Sequence, residues 1–111
     1  MKITTGILIT LVVACIIALG TLSPPGDETP LPLNDKQLHA LSFALLVLSL
    51  GWLRPQWWLG LALAALLYGA AIEMLQPMVG RSGEWADLAA DGAGIFLGLL
   101  PGQLRRRLVK A

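Results

Sequence analysis

The residues able to do chemistry crowd into two short stretches. "EMLQPMVGRSGEWADLAAD" carries Glu73, Gln76, Arg81, Glu84, Asp87 and Asp91, and the earlier "DKQLH" carries Asp35, Lys36 and His39. One histidine among several carboxylates is material for acid–base catalysis or for holding a divalent cation, and the sequence specifies neither use. The candidates for acid–base work are His39, Glu73 and Asp87. The candidate ligand-binding set is Lys36, His39, Glu73, Gln76, Arg81, Asp87 and Asp91. No HExxH, CxxC, phosphate-binding glycine loop or GxSxG is present, so no metal or cofactor is expected.

Spacing groups these residues. Glu84, Asp87, Asp91, Gly94 and Gly98 follow one another at steps of three or four, which puts them on one helical face. Gly69, Glu73, Gln76 and Gly80 obey the same rule, as do Asp35, His39 and Ser42, and Ser49, seven residues on, continues that face. Three helices are therefore expected, each with one stripe of polar and small residues. The remaining circumference is Leu, Ala, Ile, Val and Trp. Gly69, Gly94 and Gly98 are the candidate helix-packing positions, and Gly94 with Gly98 forms a G-x-x-x-G pair.

The bulk composition says what surrounds those helices. The chain has 111 residues, of which 56% are hydrophobic and 14% charged, and its mean hydropathy is +0.72. Soluble domains carry about 25% charged residues, so a chain this short could not cover its apolar surface in water. The expected fold class is an all-α membrane protein, a bundle of four transmembrane helices over about 3–22, 35–53, 57–78 and 85–100, forming one domain. About 20 apolar residues span a bilayer core. The prolines of "SPPGDETPLPLNDK" mark a linker. Asn34 and Gln37 resemble a capping box ahead of the second helix. Pro55 ends that helix, Pro77 lies near the exit of the third, and Pro101 with Gly102 is expected to stop the fourth.

The first segment also resembles a signal peptide with its "ALGT", but its apolar run is longer than a signal needs, and a retained helix is expected. The lone cysteine, Cys15, reads as a small buried hydrophobe. The competing reading, a lipoprotein box at "VVAC", is opposed by the apolar residues that follow. With four spans, Lys2, Arg54, Arg105, Arg106, Arg107 and Lys110 share one side, and only Lys36 and Arg81 the other. The positive-inside rule places both termini in the cytoplasm and the polar cluster outward. The "RRR" run beside a helix end reads as a topology signal or a contact with lipid headgroups, and nothing points to nucleic acid.

The order of these residues resembles the VanZ-like family of small bacterial membrane proteins. The matching residues are "DKQLH" (Asp35, Lys36, His39), "EMLQ" (Glu73, Gln76), "RSGEWAD" (Arg81, Ser82, Asp87) and "DGAGIFLG" (Asp91, Gly94, Gly98), across about residues 34–100. Asp91 departs from the pattern, where the family often has Asn. The resemblance implies a multi-pass protein of the bacterial cytoplasmic membrane with a role at the cell envelope. The family takes its name from a member linked to low-level teicoplanin resistance.

Three functions remain open on sequence. The leading one is a non-enzymatic membrane protein whose outward cluster binds an envelope ligand, such as a lipid-linked precursor, or a membrane partner protein, with membrane lipids around it. The second is a membrane-embedded enzyme acting on a lipid headgroup through His39 with Glu73 or Asp87. The third is a proton or ion path, for which Thr10 and Ser49 are the few polar residues in the other half. Against all three stands a purely structural use, in which the charges pair to fix helix register; for Arg81 the expected partner is Glu73 or Asp87.

Overall fold

A computed structural model describes residues 1–22, 35–80 and 84–110. All regular structure in them is helical: α1 Ile3–Thr21, α2 Asp35–Leu53, α3 Trp58–Leu75 and α4 Trp85–Lys110. Short 3₁₀ turns Pro55–Trp57 and Gln76–Val79 flank α3. The segment expected over 57–78 is thus divided. Pro77 has no amide hydrogen to continue an α-helix, and its ring crowds the preceding turn. The chain tightens into 3₁₀ and leaves through Gly80 at φ 79°, where the missing Cβ makes a positive φ tolerable.

The fourth helix corrects the expected stop at residue 100. α4 runs through Pro101 and Gly102 to Lys110. Two sets of contacts reward that continuation. Gly102 lies against the backbone of α2, where an added Cβ would come within 2.7 Å of the Gly51 carbonyl carbon. Beyond it, Gln103 Nε2 donates to the Pro55 carbonyl at 2.7 Å and Arg105 Nη2 to the Trp52 carbonyl at 2.5 Å. Arg105 also stacks over the Trp52 ring, 4.8 Å from its centroid. Arg105 thereby satisfies a carbonyl that the end of α2 would leave orphaned, and Gln103 ties α4 to the 3₁₀ turn that follows α2. The basic tail therefore includes a cap for α2, a role that its sequence alone did not disclose.

α2 and α4 lie side by side and run in the same direction. Gly94 meets Ala40, Gly98 meets Ala44, and Gly102 meets Gly51. At Gly94 an added Cβ would stand 2.7 Å from the Ala40 carbonyl carbon, and at Gly98 2.8 Å from the Ala44 Cα. Helix backbones in such contact have no room for side chains between them. Gly69, the third expected packing position, faces side chains instead: Asp91, Leu88 and Phe43. α1 runs opposite to α2, with Gly6 against Leu50 and Leu53 and Thr10 Oγ1 3.3 Å from Ser49 Oγ. Tyr68 on α3 donates to the Ala14 carbonyl of α1. The core between the helices holds Ile17, Phe43, Leu46, Val47, Ala65, Ile72, Ile95 and Leu99.

The exterior is the reverse of a soluble protein's. Leu8, Leu11, Ile16 and Leu19 of α1, Leu63, Leu67 and Met74 of α3, and Phe96 and Leu97 of α4 are all exposed, Leu67 to 71%. Cys15 is exposed too, on the same exposed side of α1, and so is not the buried hydrophobe its apolar neighbours suggested. Meanwhile Glu73, Gln76, Asp87 and Asp91 are buried. Three helices, over Ile3–Thr21, Lys36–Leu53 and Pro55–Val79, are long and apolar enough to cross a membrane.

The glycine seam yields a direct test. Gly98→Leu forces α2 and α4 apart and is expected to lower thermal stability in detergent by the overpacking cost of about 1–3 kcal/mol or more. Gly60→Ala, where an added Cβ meets nothing within 4 Å, is expected to stay within about 0.5 kcal/mol of the parent. Equal melting temperatures for the two variants would disprove the close seam.

Candidate functional site

The seam fixes where α2 and α4 present their polar residues. His39 lies one turn before Phe43 on α2, and the two rings stack in parallel with centroids 6.5 Å apart, within the usual range for aromatic pairs. Phe43 in turn packs against Tyr68. The imidazole is thereby held edge-on to α4, where its Nδ1–H donates to Asp91 Oδ1 at 2.7 Å. Its other nitrogen, Nε2, is 3.8 Å from Asp87 Oδ2. Asp87 and Asp91 are one turn apart on α4, so one ring touches both.

Asp91 is the deepest of the acids, 1% exposed. Its second oxygen, Oδ2, has no hydrogen-bond partner among the described residues. That oxygen stands where a Cβ on Gly69 would be, 2.7 Å away. Gly69 therefore serves the site as well as the packing, because any side chain there would displace the carboxylate. Glu73 follows Gly69 by one turn of α3 and is 4% exposed. Its Oε2 accepts the Glu84 amide hydrogen at 2.7 Å, which ties the start of α4 to α3. Its Oε1 is buried and unpartnered among the described residues. His39, Glu73 and Asp91 each offer a ligand atom, and the three atoms lie within 4.8 Å of one another.

Gln76 is buried as well. Its Nε2 donates to the Thr21 carbonyl at 3.2 Å, joining the end of α1 to the site, and its Oε1 is left without a described partner. Lys36 sits at the rim with its side chain 51% exposed and bridges Glu84 and Asp87, at 3.2 Å to each. Arg81 lies outside the described residues, as does Ser82, so the expected pairing of Arg81 with Glu73 or Asp87 falls outside them too. The described partners of those two carboxylates are the Glu84 amide for Glu73, and Lys36 and His39 for Asp87.

A cleft of about 660 Å³ opens beside this cluster. Its lining combines the polar Lys36, His39, Gln76, Glu84 and Asp87 with the apolar Ile16, Ile17, Leu38 and Phe43, and includes Gly20 and Thr21 at the end of α1. α1 thus forms a wall of the site. Sequence reasoning missed this because α1 has no polar stripe; only the small pair Gly20 and Thr21 at its end marks the place. At the opposite end of the bundle, Thr10 and Ser49 bond to each other, and Ser49 Oγ also donates to the Gly6 carbonyl at 3.3 Å. Between the two polar regions on α2 stand the buried Phe43, Leu46 and Val47.

No family model, curated protein or solved structure matches this chain.

The geometry ranks the polar residues by what their loss leaves behind. His39→Ala leaves Asp91 buried with neither oxygen bonded, and is expected to cost about 1–3 kcal/mol of stability. Lys36→Ala removes a bridge that water replaces, so its effect on the melting temperature in detergent should be clearly smaller. A Lys36→Ala loss as large as that of His39→Ala would show that the rim, not the buried pair, carries the stability.

Proposed function

We propose that the chain is a multi-pass protein of the bacterial cytoplasmic membrane, similar to the VanZ-like proteins, and that its cleft binds the headgroup end of an envelope amphiphile such as a lipid-linked precursor. In this reading all four helices span, both termini are cytoplasmic, and the Lys36 end faces outward. The observation that carries the proposal is that polar and apolar side chains line one cleft. Lys36, His39, Gln76, Glu84 and Asp87 suit a polar headgroup, while Ile16, Ile17, Leu38 and Phe43 suit the start of an acyl chain. Pockets that fix small ligands combine an apolar wall with a few convergent polar groups in this way.

The membrane placement has independent support. Charges at mid-bilayer face the bundle interior rather than lipid, and Glu73, Asp87 and Asp91 are buried while the helix exteriors are apolar. α4 is less apolar than the other helices, yet it buries its acids and exposes Phe96, Leu97 and Leu100. The expected inward end gathers Lys2, Arg54 and Arg105, in keeping with the positive-inside rule. An ion path is disfavoured, because apolar core residues separate the cluster from Thr10 and Ser49.

One observation favours a second reading, an enzyme acting on the headgroup. His39 lines the cleft and is oriented by a buried carboxylate at 2.7 Å, an arrangement suited to a general base.

Reporter fusions after Thr29 and Gly83 are expected to read as external, and one after Gln56 as internal; a cytoplasmic signal at Thr29 would overturn the topology. Gly20 lines the cleft, and an added Cβ there meets nothing within 4 Å. Gly20→Leu should therefore leave the fold stable while filling the cleft. Lipid extracts of the purified parent are expected to hold an amphiphile that the Gly20→Leu protein lacks. In a host without its own copy, only the parent should alter teicoplanin sensitivity. Identical extracts and identical phenotypes would refute the proposal, and recovery of a chemically altered amphiphile would favour the enzyme.

A further inference from the structure

We infer that His39, Glu73 and Asp91 form a binding site for one divalent transition-metal ion beside the cleft, which His39 lines. The three residues come from three different helices, α2, α3 and α4, and their ligand atoms lie within 4.8 Å of one another. Ligands about a tetrahedral zinc at about 2.0–2.2 Å stand roughly 3.4 Å apart. The set is therefore gathered but open, and modest side-chain rotation closes it. An imidazole with two carboxylates suits zinc or manganese better than the all-oxygen ions calcium and magnesium.

The oxygens left unpartnered point to the same conclusion. Glu73 and Asp91 are 96% and 99% buried by area, yet Glu73 Oε1 and Asp91 Oδ2 have no hydrogen-bond partner among the described residues. Gln76 Oε1, which belongs to a neutral side chain on the cleft wall, is buried and unpartnered too. Buried polar atoms are nearly always satisfied in folded proteins, so the two orphaned carboxylate oxygens gathered beside His39 call for a bound electrophile. Charge agrees. Among the described residues, Lys36 is the one cation at this end, and it is engaged with Glu84 and Asp87 at the rim. Glu73 and Asp91 place two carboxylates beside one imidazole in an apolar bundle. A divalent cation balances that pair.

The geometry also says why the site is built where it is. Phe43 stacks on His39 and fixes the ring, and the bare Gly69 makes room for the Asp91 carboxylate. The Glu84 amide holds the other oxygen of Glu73. Supporting contacts of this kind orient metal ligands and tune their affinity. His39 borders the cleft, so an ion held by three protein ligands keeps an open position toward whatever enters it.

The test uses the full chain in detergent, stripped with chelator and then titrated with Zn²⁺ and with Mn²⁺ by equilibrium dialysis, with metal content read by elemental analysis. One equivalent of at least one of these ions is expected to bind saturably and to raise the melting temperature. His39→Gln, Glu73→Gln and Asp91→Asn, which keep size and hydrogen bonding, should each weaken binding by about tenfold or more. Ser49→Ala, at the opposite end, should bind as the parent does. If the parent binds neither ion saturably, or if the three variants bind as tightly as the parent, the site does not exist. Because binding is measured without an amphiphile, loss of the amphiphile reading would leave this result standing, and the reverse holds as well.

Discussion

Everything at the polar end depends on how closely α2 and α4 approach. Their backbones touch at Gly94, Gly98 and Gly102, and no side chain separates them. That contact sets the rotation and depth of both helices together. With α2 held this way, His39 faces α4; with α4 held this way, Asp91 lies at the level of the imidazole, 2.7 Å from Nδ1. A helix pair held apart by leucines would put those groups beyond reach of each other. The seam is also what makes the α4 extension worthwhile, since Gly102 carries it past Pro101 to where Arg105 caps α2 and Gln103 holds the turn after it.

The second constraint is electrostatic. Buried charges cost several kcal/mol each unless they are paired and hydrogen-bonded, and this bundle buries three carboxylates within two turns of helix. Asp87 reaches Lys36 at the rim. Among the described residues, Glu73 and Asp91 are each bonded through one oxygen only. A cluster meant only to fix helix register would satisfy both. The unsatisfied oxygens, beside a cleft lined by both polar and apolar side chains, are what make a binding role more economical physically than a structural one.

Much of this arrangement was legible in the sequence. The steps of three and four from Glu84 to Gly98, and from Gly69 to Gln76, put acids and glycines on common faces, and those faces meet in the bundle. Depth was less legible. Spacing within a helix cannot say which residue of one helix lies level with which of another, so the convergence of His39, Glu73 and Asp91 on one point needed three dimensions. Pro101 and Gly102 read as a stop because each breaks helices in water; here Gly102 is a contact surface, and the i, i+4 continuation from Gly98 was the available signal. The arginine run read as a topology mark because a helix-capping role for Arg105 depends on the end of α2 lying nearby. Cys15 read as buried because apolar neighbours mean burial only where protein, rather than an open exterior, surrounds the helix.

The central claim is that the cleft beside His39 is an occupied binding site and not a gap between helices. A high-resolution density map of the protein in lipid nanodiscs, prepared without added ligand, tests it most directly. The account predicts elongated density in the cleft, with its head against Lys36, His39 and Gln76 and its tail along Ile16, Ile17 and Phe43. A map in which the end of α1 has closed onto α2, leaving no cleft and no density against His39, would contradict it.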